Sequence, residues 1–406
     1  MNQNDMQKNQ INDADDAAFR QAVQRKSGKK LASAPLSKEA KARRRKKKII
    51  LGISIPVGIL LLIGAMYATF VFSSVPFVKY WRTIYIETAM STGHHHWLAE
   101  SFIPADIIKE VMDEKERQDQ DNINVIGGDI EPADSTADTM AEPEPEKNTD
   151  ILGQRDLRVG DTDYAGYTVL VNDTEECLVI SEIVGTGYRG KIMLIDDPAR
   201  VWVGSIPDDK KGKEGLRIKD MLKYHNAVAG INASGFNDPL ENGLGGEPVG
   251  MSCSNGEFWG SYVTYYGSIV LTTTNKLVVG KIDIWKDYNI RDGIQFGPVL
   301  IANGETKVTG SAGYGIHPRT AIGQRADGVI AFLVIDGRST TSVGCTVGEL
   351  ANILQKYNIV NAACCDGGAS SLIAYNGEII TNNSSYNPSY GRLLPNAFLV
   401  KHKADS

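Results

Sequence analysis

Hydrophobic positions along this chain fall into three textures. From Ile49 to Phe72 the run is continuous and uncharged over 24 residues. A helix needs ~20 such residues to cross the hydrocarbon core of a bilayer. Directly ahead stands the basic block Lys41-Ala42-Arg43-Arg44-Arg45-Lys46-Lys47-Lys48. Pro56 and three glycines inside the run are compatible with a membrane helix. The pattern predicts a transmembrane helix over 49–72, with the N-terminus in the cytoplasm and the C-terminal part outside. A cleaved signal peptide fits less well, because the run is longer than a signal core and a polar tail of about fifty residues precedes it. A nucleic-acid patch is the other reading of the basic block, and its position against an apolar span argues for the membrane instead.

The second texture is mixed. Residues 73–112 alternate apolar and polar positions and include Tyr80-Trp81-Arg82, which suits a juxtamembrane anchor at the interface. His94-His95-His96 lies here; neighbouring side chains diverge, so an exposed loop or helix end is expected and not a metal site. Two polar stretches flank this region. Residues 1–48 have few aromatics and read as a disordered cytoplasmic tail. Residues 113–150 are acidic, contain Glu142-Pro143-Glu144-Pro145-Glu146, and read as an extended linker that holds the next part away from the membrane.

From 151 to 406 short β-rich runs alternate with glycine and asparagine turns. Strands are expected at Tyr167 to Val171, Cys177 to Ile183, Lys191 to Ile195, Ser268 to Leu271 and Val329 to Ile335, and helices at Gly215 to Tyr224 and Thr346 to Tyr357. This mixture predicts one α+β domain with helices packed on an extensive sheet. A short internal echo supports it. Residues 223–235 and 356–368 both read as helix end, turn, apolar strand, then a polar glycine loop. Two such loops could flank one cleft.

The formal charge of −6 is spread too unevenly to name a partner, since the basic block offsets acidic regions elsewhere. The five cysteines form no CxxC pair of zinc-like spacing. Cys364 and Cys365 are expected to pack in a buried strand, pointing to opposite faces. There is no EF-hand spacing either, so no metal or cofactor is expected.

The candidate chemistry sits where apolar runs end in polar residues. The segment Asn361-Ala362-Ala363-Cys364-Cys365-Asp366-Gly367-Gly368-Ala369-Ser370-Ser371 places one acid, two glycines and two hydroxyls at the end of a predicted buried strand. By itself Asp366 could be a catalytic acid or base, a ligand anchor or a turn cap, and Asp-Gly is a common turn dipeptide. Three further segments have this character: Ile231-Asn232-Ala233-Ser234-Gly235-Phe236; Gly297 to Gly304, ending in an Asn-Gly hairpin signal; and His317-Pro318-Arg319-Thr320-Ala321-Ile322-Gly323 with the later Val334-Ile335-Asp336-Gly337-Arg338. Each alone reads as a turn or a loop tie; Arg338, for instance, could pair with Asp336 merely to orient its loop.

Taken together and in this order, these segments resemble the phosphodiester glycosidase family, the family of the lysosomal uncovering enzyme and of bacterial surface proteins linked to exopolysaccharide metabolism. The resemblance covers roughly residues 225–400. The chain departs from the family loop Asp-Gly-Gly-Gly-Ser-Ser-Thr at Ala369 and Leu372, and Cys364 stands where Asn is common. The resemblance implies a hydrolase that cleaves the glycosidic bond of sugar-1-phosphodiesters in surface polysaccharide or glycoconjugate; the basic block and apolar span make it membrane-anchored and extracellular. In that chemistry a phosphate monoester departs, so arginines neutralise it bidentately. The anomeric carbon becomes oxocarbenium-like, so a carboxylate stabilises it or activates water. The implied catalytic set is Asp366, then Asp336, with Arg319 and Arg338 on phosphate; His317 could be a general acid near neutral pH or a structural residue beside Pro318. Asn232, Gly367, Gly368, Ser370, Ser371 and Arg392 would bind substrate, the two glycines through backbone N–H groups. The other reading of the altered loop is a non-catalytic phosphoglycan-binding module.

Overall fold

A computed structural model describes residues 37–93, 95–133, 157–238 and 243–405. The chain divides into two compact units, 1–73 and 74–406. In the first, Lys38–Phe72 forms one helix, α1, with Pro56 inside it. Its apolar side chains are exposed from Ile49 to Ala68, Val71 near its end is buried, and among the described residues it is the one helix long and apolar enough to cross a membrane. Residues 1–36 of the expected tail, residues 134–150 of the expected linker and His94 lie outside the described residues.

The second unit is the expected α+β domain. Strands Thr168–Asp173, Leu178–Gly185, Tyr188–Ile195, Ile330–Ile335, Arg319–Arg325, Ile359–Cys365, Val299–Ala302 and Glu305–Thr306 form one antiparallel sheet of eight, in that spatial order. Its strands read as unbroken apolar runs because both faces are covered. Ile192, Leu194, Leu333, Ile335, Ala321 and Cys364 point into one core; Met193, Ile195, Phe332, Val334, Ile322 and Cys365 point into another. Successive side chains of a strand alternate between faces, so Cys364 and Cys365 part as the sequence implied. Both are buried and unpaired.

The first core is closed by helix Val347–Lys356, which buries Val347, Leu350, Ala351, Ile353 and Leu354. Thr346 starts this helix with a capping box: its hydroxyl accepts the Glu349 N–H, and the Glu349 carboxylate accepts the Thr346 N–H. The second core lies between the eight-stranded sheet and two others. One is a sheet of five that includes Ala227–Asn232 and Asn396–Lys401; the other is a sheet of six that includes Gly267–Thr272 and Ile290–Phe296. Helix Ile218–His225 covers the outer face of the five-stranded sheet.

The internal echo is real geometry. Helix Ile218–His225 ends on Asn226 at φ +50°, and helix Val347–Lys356 is followed by Asn358 at φ +57°. Asparagine tolerates this left-handed turn better than most residues. Each turn leads into a buried strand, Ala227–Asn232 and Ile359–Cys365, and the two strand ends meet.

The expected extended linker is corrected in its first part. Residues 76–123 form three helices: α2 Pro76–Met90, α3 His96–Glu100 and α4 Ala105–Ile123. His95 and His96 are exposed at the start of α3. Beyond α4, Ile126–Gly127 pairs with the Leu277–Gly280 strand. The acidic composition of α4 hides helix-supporting pairs four residues apart: Lys109 with Asp113 at 2.5 Å, Lys115 with Asp119, and Gln118 with Glu114 at 2.9 Å. Its first half also carries apolar residues on one face, with Ile108 buried.

The capping box supplies a check on the fold. Thr346→Ala removes the cap acceptor while leaving the helix face intact. Thermal unfolding should show a loss of about 1 kcal/mol, or roughly 2–4 °C for a domain of this size.

Candidate active site

The functional candidates gather at one end of the sheets because of strand direction. Strand Ile359–Cys365 runs into Asp366 at the end where Arg319–Arg325 begins and Ile330–Ile335 finishes, with Thr320 paired to both Cys365 and Val334. Strand Ala227–Asn232 of the five-stranded sheet finishes at the same place, since the Ala233 carbonyl accepts the Asp366 N–H at 2.9 Å.

Asn232 fastens this corner. Its Nδ2 donates to the Asp366 carbonyl at 2.7 Å, while its Oδ1 accepts from the Thr320 hydroxyl at 2.8 Å and the Leu372 N–H at 3.2 Å. The side chain is fully buried, so it positions the Asp366 loop and does not offer itself to a sugar hydroxyl. The expected anion-binding role of the two glycines is also corrected. The Gly367 N–H donates to Asp366 Oδ1 at 2.9 Å, and the Gly368 N–H to the Pro318 carbonyl at 2.9 Å. The residues are glycines for a different reason: a Cβ on Gly367 would come 3.0 Å from the Pro318 carbonyl, and Gly368 has φ +60°.

Asp366 is half-buried at the mouth of this corner. Burial pushes its carboxyl up to about 6 against the bonds it accepts from Ser370 and the Gly367 N–H; Arg392 lowers it and Asp238 raises it. Those last two charges are an ion pair. Arg392 donates through both terminal nitrogens to Asp238, at 2.7 and 2.6 Å, and its guanidinium lies 5.0 Å from the centre of the Phe236 ring. Asp238 escaped the sequence reading because its surroundings, Asn237-Asp238-Pro239, look like an ordinary turn. Tyr266 is a second omission: its phenol is pushed up by burial and then by the Asp366 charge, and its ring packs 4.8 Å from Phe296.

Asp336, just beyond Ile330–Ile335, has other partners. Its carboxylate accepts the Asn382 N–H at 3.0 Å, and Lys191, Glu182 and Arg189 are the charges that bear on it; none of these bears on Asp366. It ties its loop to the 382–385 segment. Arg338 does not pair with it. The exposed Arg338 reaches His317 Nδ1 at a long 3.4 Å.

His317 is buried and neutral, which removes the expected general acid at neutral pH. Burial, with Arg319 and Arg338 beside it, drives its ring down to about 3. A guanidinium can only donate, so Nδ1 is the acceptor and Nε2 carries the proton. That Nε2 is buried without a hydrogen-bond partner, and so is the Ser371 hydroxyl. Arg319 is buried too. Its Nη2 donates to the carbonyls of Tyr314 and Gly315, at 2.8 and 3.0 Å, and its Nε makes a longer 3.4 Å contact to Cys345. Its first duty is to hold the 314–316 turn. Among the described residues, no group of three or more His, Cys, Asp or Glu side chains is placed to hold a metal ion.

The raised Asp366 predicts a signature in stability. The folded protein binds this proton more tightly than the unfolded chain, so the contribution is full below pH ~4 and fades as pH rises through about 6. Asp366→Asn should therefore flatten the pH dependence of unfolding between pH 4 and 7, and raise stability at pH 7 by roughly 1–3 kcal/mol. Denaturant titrations of both proteins across that range provide the check.

Comparison with known proteins bears on the same stretch of chain. Residues 225–401 match the model of the phosphodiester glycosidase family. An uncharacterised SPbeta prophage-derived protein of Bacillus subtilis, YomE, is 30% identical over 180 residues, covering 41% of this chain and 27% of the relative. The bovine N-acetylglucosamine-1-phosphodiester alpha-N-acetylglucosaminidase is 34% identical over 85 residues, covering 20% of this chain and 16% of the relative. The chain thus spans about a quarter or less of these relatives. Among solved structures, the catalytic domain of the zebrafish N-acetylglucosamine-1-phosphodiester alpha-N-acetylglucosaminidase, auto-inhibited by its pro-peptide, has a TM-score of 0.47 at 19% identity, covering 56% of this chain and 82% of that one. A hypothetical protein from Synechocystis has a TM-score of 0.40 at 16% identity, covering 58% and 63%. Over residues 225–401 this chain carries a domain of the phosphodiester glycosidase family.

Proposed function

We propose that this protein is a hydrolase, anchored in the membrane by α1 and facing outward, that cleaves the glycosidic bond of sugar-1-phosphodiesters in surface polysaccharide or glycoconjugate. The observation that carries this reading is the Asp366 carboxyl, raised to about 6 beside the Arg392–Asp238 ion pair at the meeting point of two sheets. A carboxyl of that strength is mostly ionised at pH 7 and still basic enough to activate water. The departing phosphate monoester needs its charge neutralised, and Arg338 and Arg392 are the guanidinium groups on hand. The unpartnered His317 Nε2–H and Ser371 hydroxyl are buried donors suited to substrate oxygens. Asp238 replaces Asp336 as the second carboxylate of the site.

The altered loop favours the binding-module alternative less than the sequence implied. Leu372, where the family has threonine, is buried in the apolar cluster with Phe236 and Leu394, away from the polar corner. Asp366, Ser370 and Ser371 keep their places around it.

Full-length protein in detergent, offered a panel of sugar-1-phosphodiesters, should release free sugar and a phosphate monoester. Its kcat/KM should rise with pH to a plateau set by an apparent pKa near 6. Asp366→Asn should lower turnover at least a hundredfold, about 2.7 kcal/mol of barrier, with the protein still folded. No release by folded protein across the panel, alongside binding that survives Asp366→Asn, would establish the binding module instead.

The anchor is tested separately. A reporter at the C-terminus should be accessible outside intact cells and one at the N-terminus should not. A cytoplasmic C-terminus would refute the proposed orientation.

A further inference from the structure

The helices that precede the family domain do more than lead into it. Three groups from α2 and α4 grip the turn 313–316, which lies directly before His317 and supplies both main carbonyl partners of Arg319. The Thr88 hydroxyl accepts the Ile316 N–H at 3.0 Å. The Asp119 carboxylate accepts the Tyr314 phenol at 2.6 Å. The buried Glu87 carboxylate lies against the Ser311 side chain and the backbone of Gly313 and Gly315, which lower its pKa against the larger upward push of burial, and its Oε2 has no hydrogen-bond partner. Packing is equally close. A Cβ on Gly315 would come within 2.5 Å of the Thr88 hydroxyl, and the Lys115 ammonium sits 4.4 Å from the centre of the Tyr314 ring.

The contacts continue from the turn into the site. The Tyr314 ring that Asp119 orients lies 6.0 Å from the Arg319 guanidinium, and the Tyr314 carbonyl is the acceptor at 2.8 Å from Arg319 Nη2. Ile316, held by Thr88, is bonded through the chain to His317, whose own backbone is latched to Cys345 by two hydrogen bonds of 3.2 and 2.9 Å. Among the described residues of 225–401, nothing replaces these holds. Tyr314 has its hydroxyl on Asp119, and the Ile316 N–H has its acceptor on Thr88.

We infer that Thr88 and Asp119 are positioning residues of the hydrolytic site: they set the 313–316 turn, and through it the placement of Arg319 and His317. The inference rests on the proposed glycosidase activity. It extends the functional domain about 150 residues ahead of the family-matched segment, to helices that begin at Pro76. Neither residue touches substrate; both act through the turn. Small displacements of groups that orient a reacting centre cost rate steeply.

The test uses full-length protein and paired substitutions. Thr88→Val removes the acceptor and keeps the shape, and Thr88→Ser keeps the acceptor. Asp119→Ala removes the acceptor for Tyr314, and Asp119→Asn keeps one. Lys109→Ala, on an exposed pair of α4, is the control. Thr88→Val and Asp119→Ala should each lose roughly tenfold or more in kcat/KM, the loss falling on kcat, while Thr88→Ser, Asp119→Asn and Lys109→Ala stay within about twofold. Amide exchange at 313–317 should quicken in the first two variants alone. Unchanged activity, or a gain in activity that marks the helices as a plug, would overturn the inference. So would a loss of rate that follows the melting temperature and is not rescued by the conservative variant. Should the wild-type protein release no sugar from any phosphodiester, the proposed activity fails by itself. The exchange measurement then decides: faster exchange at 313–317 only in Thr88→Val and Asp119→Ala sustains the positioning role, and no difference removes it.

Discussion

The buried amide of Asn232 is the joint on which this site depends. One side chain accepts from Thr320 on the eight-stranded sheet and from Leu372 beyond the Asp366 loop, and donates to the carbonyl of Asp366. It sits at the end of a strand in a different sheet. An unmade bond on any of its atoms would leave a buried polar group unsatisfied, at roughly 1–3 kcal/mol each. The two sheets therefore cannot slide past one another without breaking it. Asp366 inherits a fixed position from this, with its own N–H anchored to Ala233 and its carboxylate left at the mouth of the corner.

Electrostatics then divides the charged groups by task. Burial raises Asp366, and the Arg392–Asp238 pair beside it contributes in both directions. Burial and two neighbouring arginines keep His317 neutral. Arg319 spends its donors on carbonyls of the 314–316 turn, whereas Arg338 remains exposed. The result is one basic carboxylate, the Arg392 guanidinium near it and two buried donors without acceptors. That combination suits a reaction in which a phosphate leaves and water arrives.

The same corner explains why the helices ahead of the family domain are folded onto it. A turn as rich in glycine as 310–315 has little side-chain packing of its own. Its polar groups are satisfied in part from outside: the Thr88 hydroxyl accepts the Ile316 N–H and Asp119 accepts the Tyr314 phenol. The acidic helix α4 contributes Asp119, whose carboxylate is an acceptor for the Tyr314 O–H.

Several features were legible in the sequence because they are written in local periodicity. The uncharged run of α1, the α+β alternation, the helix from Thr346, the opposed faces of Cys364 and Cys365, and Asp366 at a strand end all follow from spacing between near neighbours. Even the echo of 223–235 in 356–368 was visible, since each half is one helix and one strand. The tertiary structure decided what depends on distant partners. It turned Asn232 and the two glycines inward, because Asp366, Thr320 and Pro318 reach them from elsewhere in the chain. It took Asp336 to Asn382 and gave Asp238 its place beside Asp366 through Arg392, 154 positions away. It folded residues 113–123, the first part of the expected tether, into the helix Ala105–Ile123. Composition counts charges; whether a carboxylate faces water or a backbone N–H is fixed only when the rest of the chain arrives.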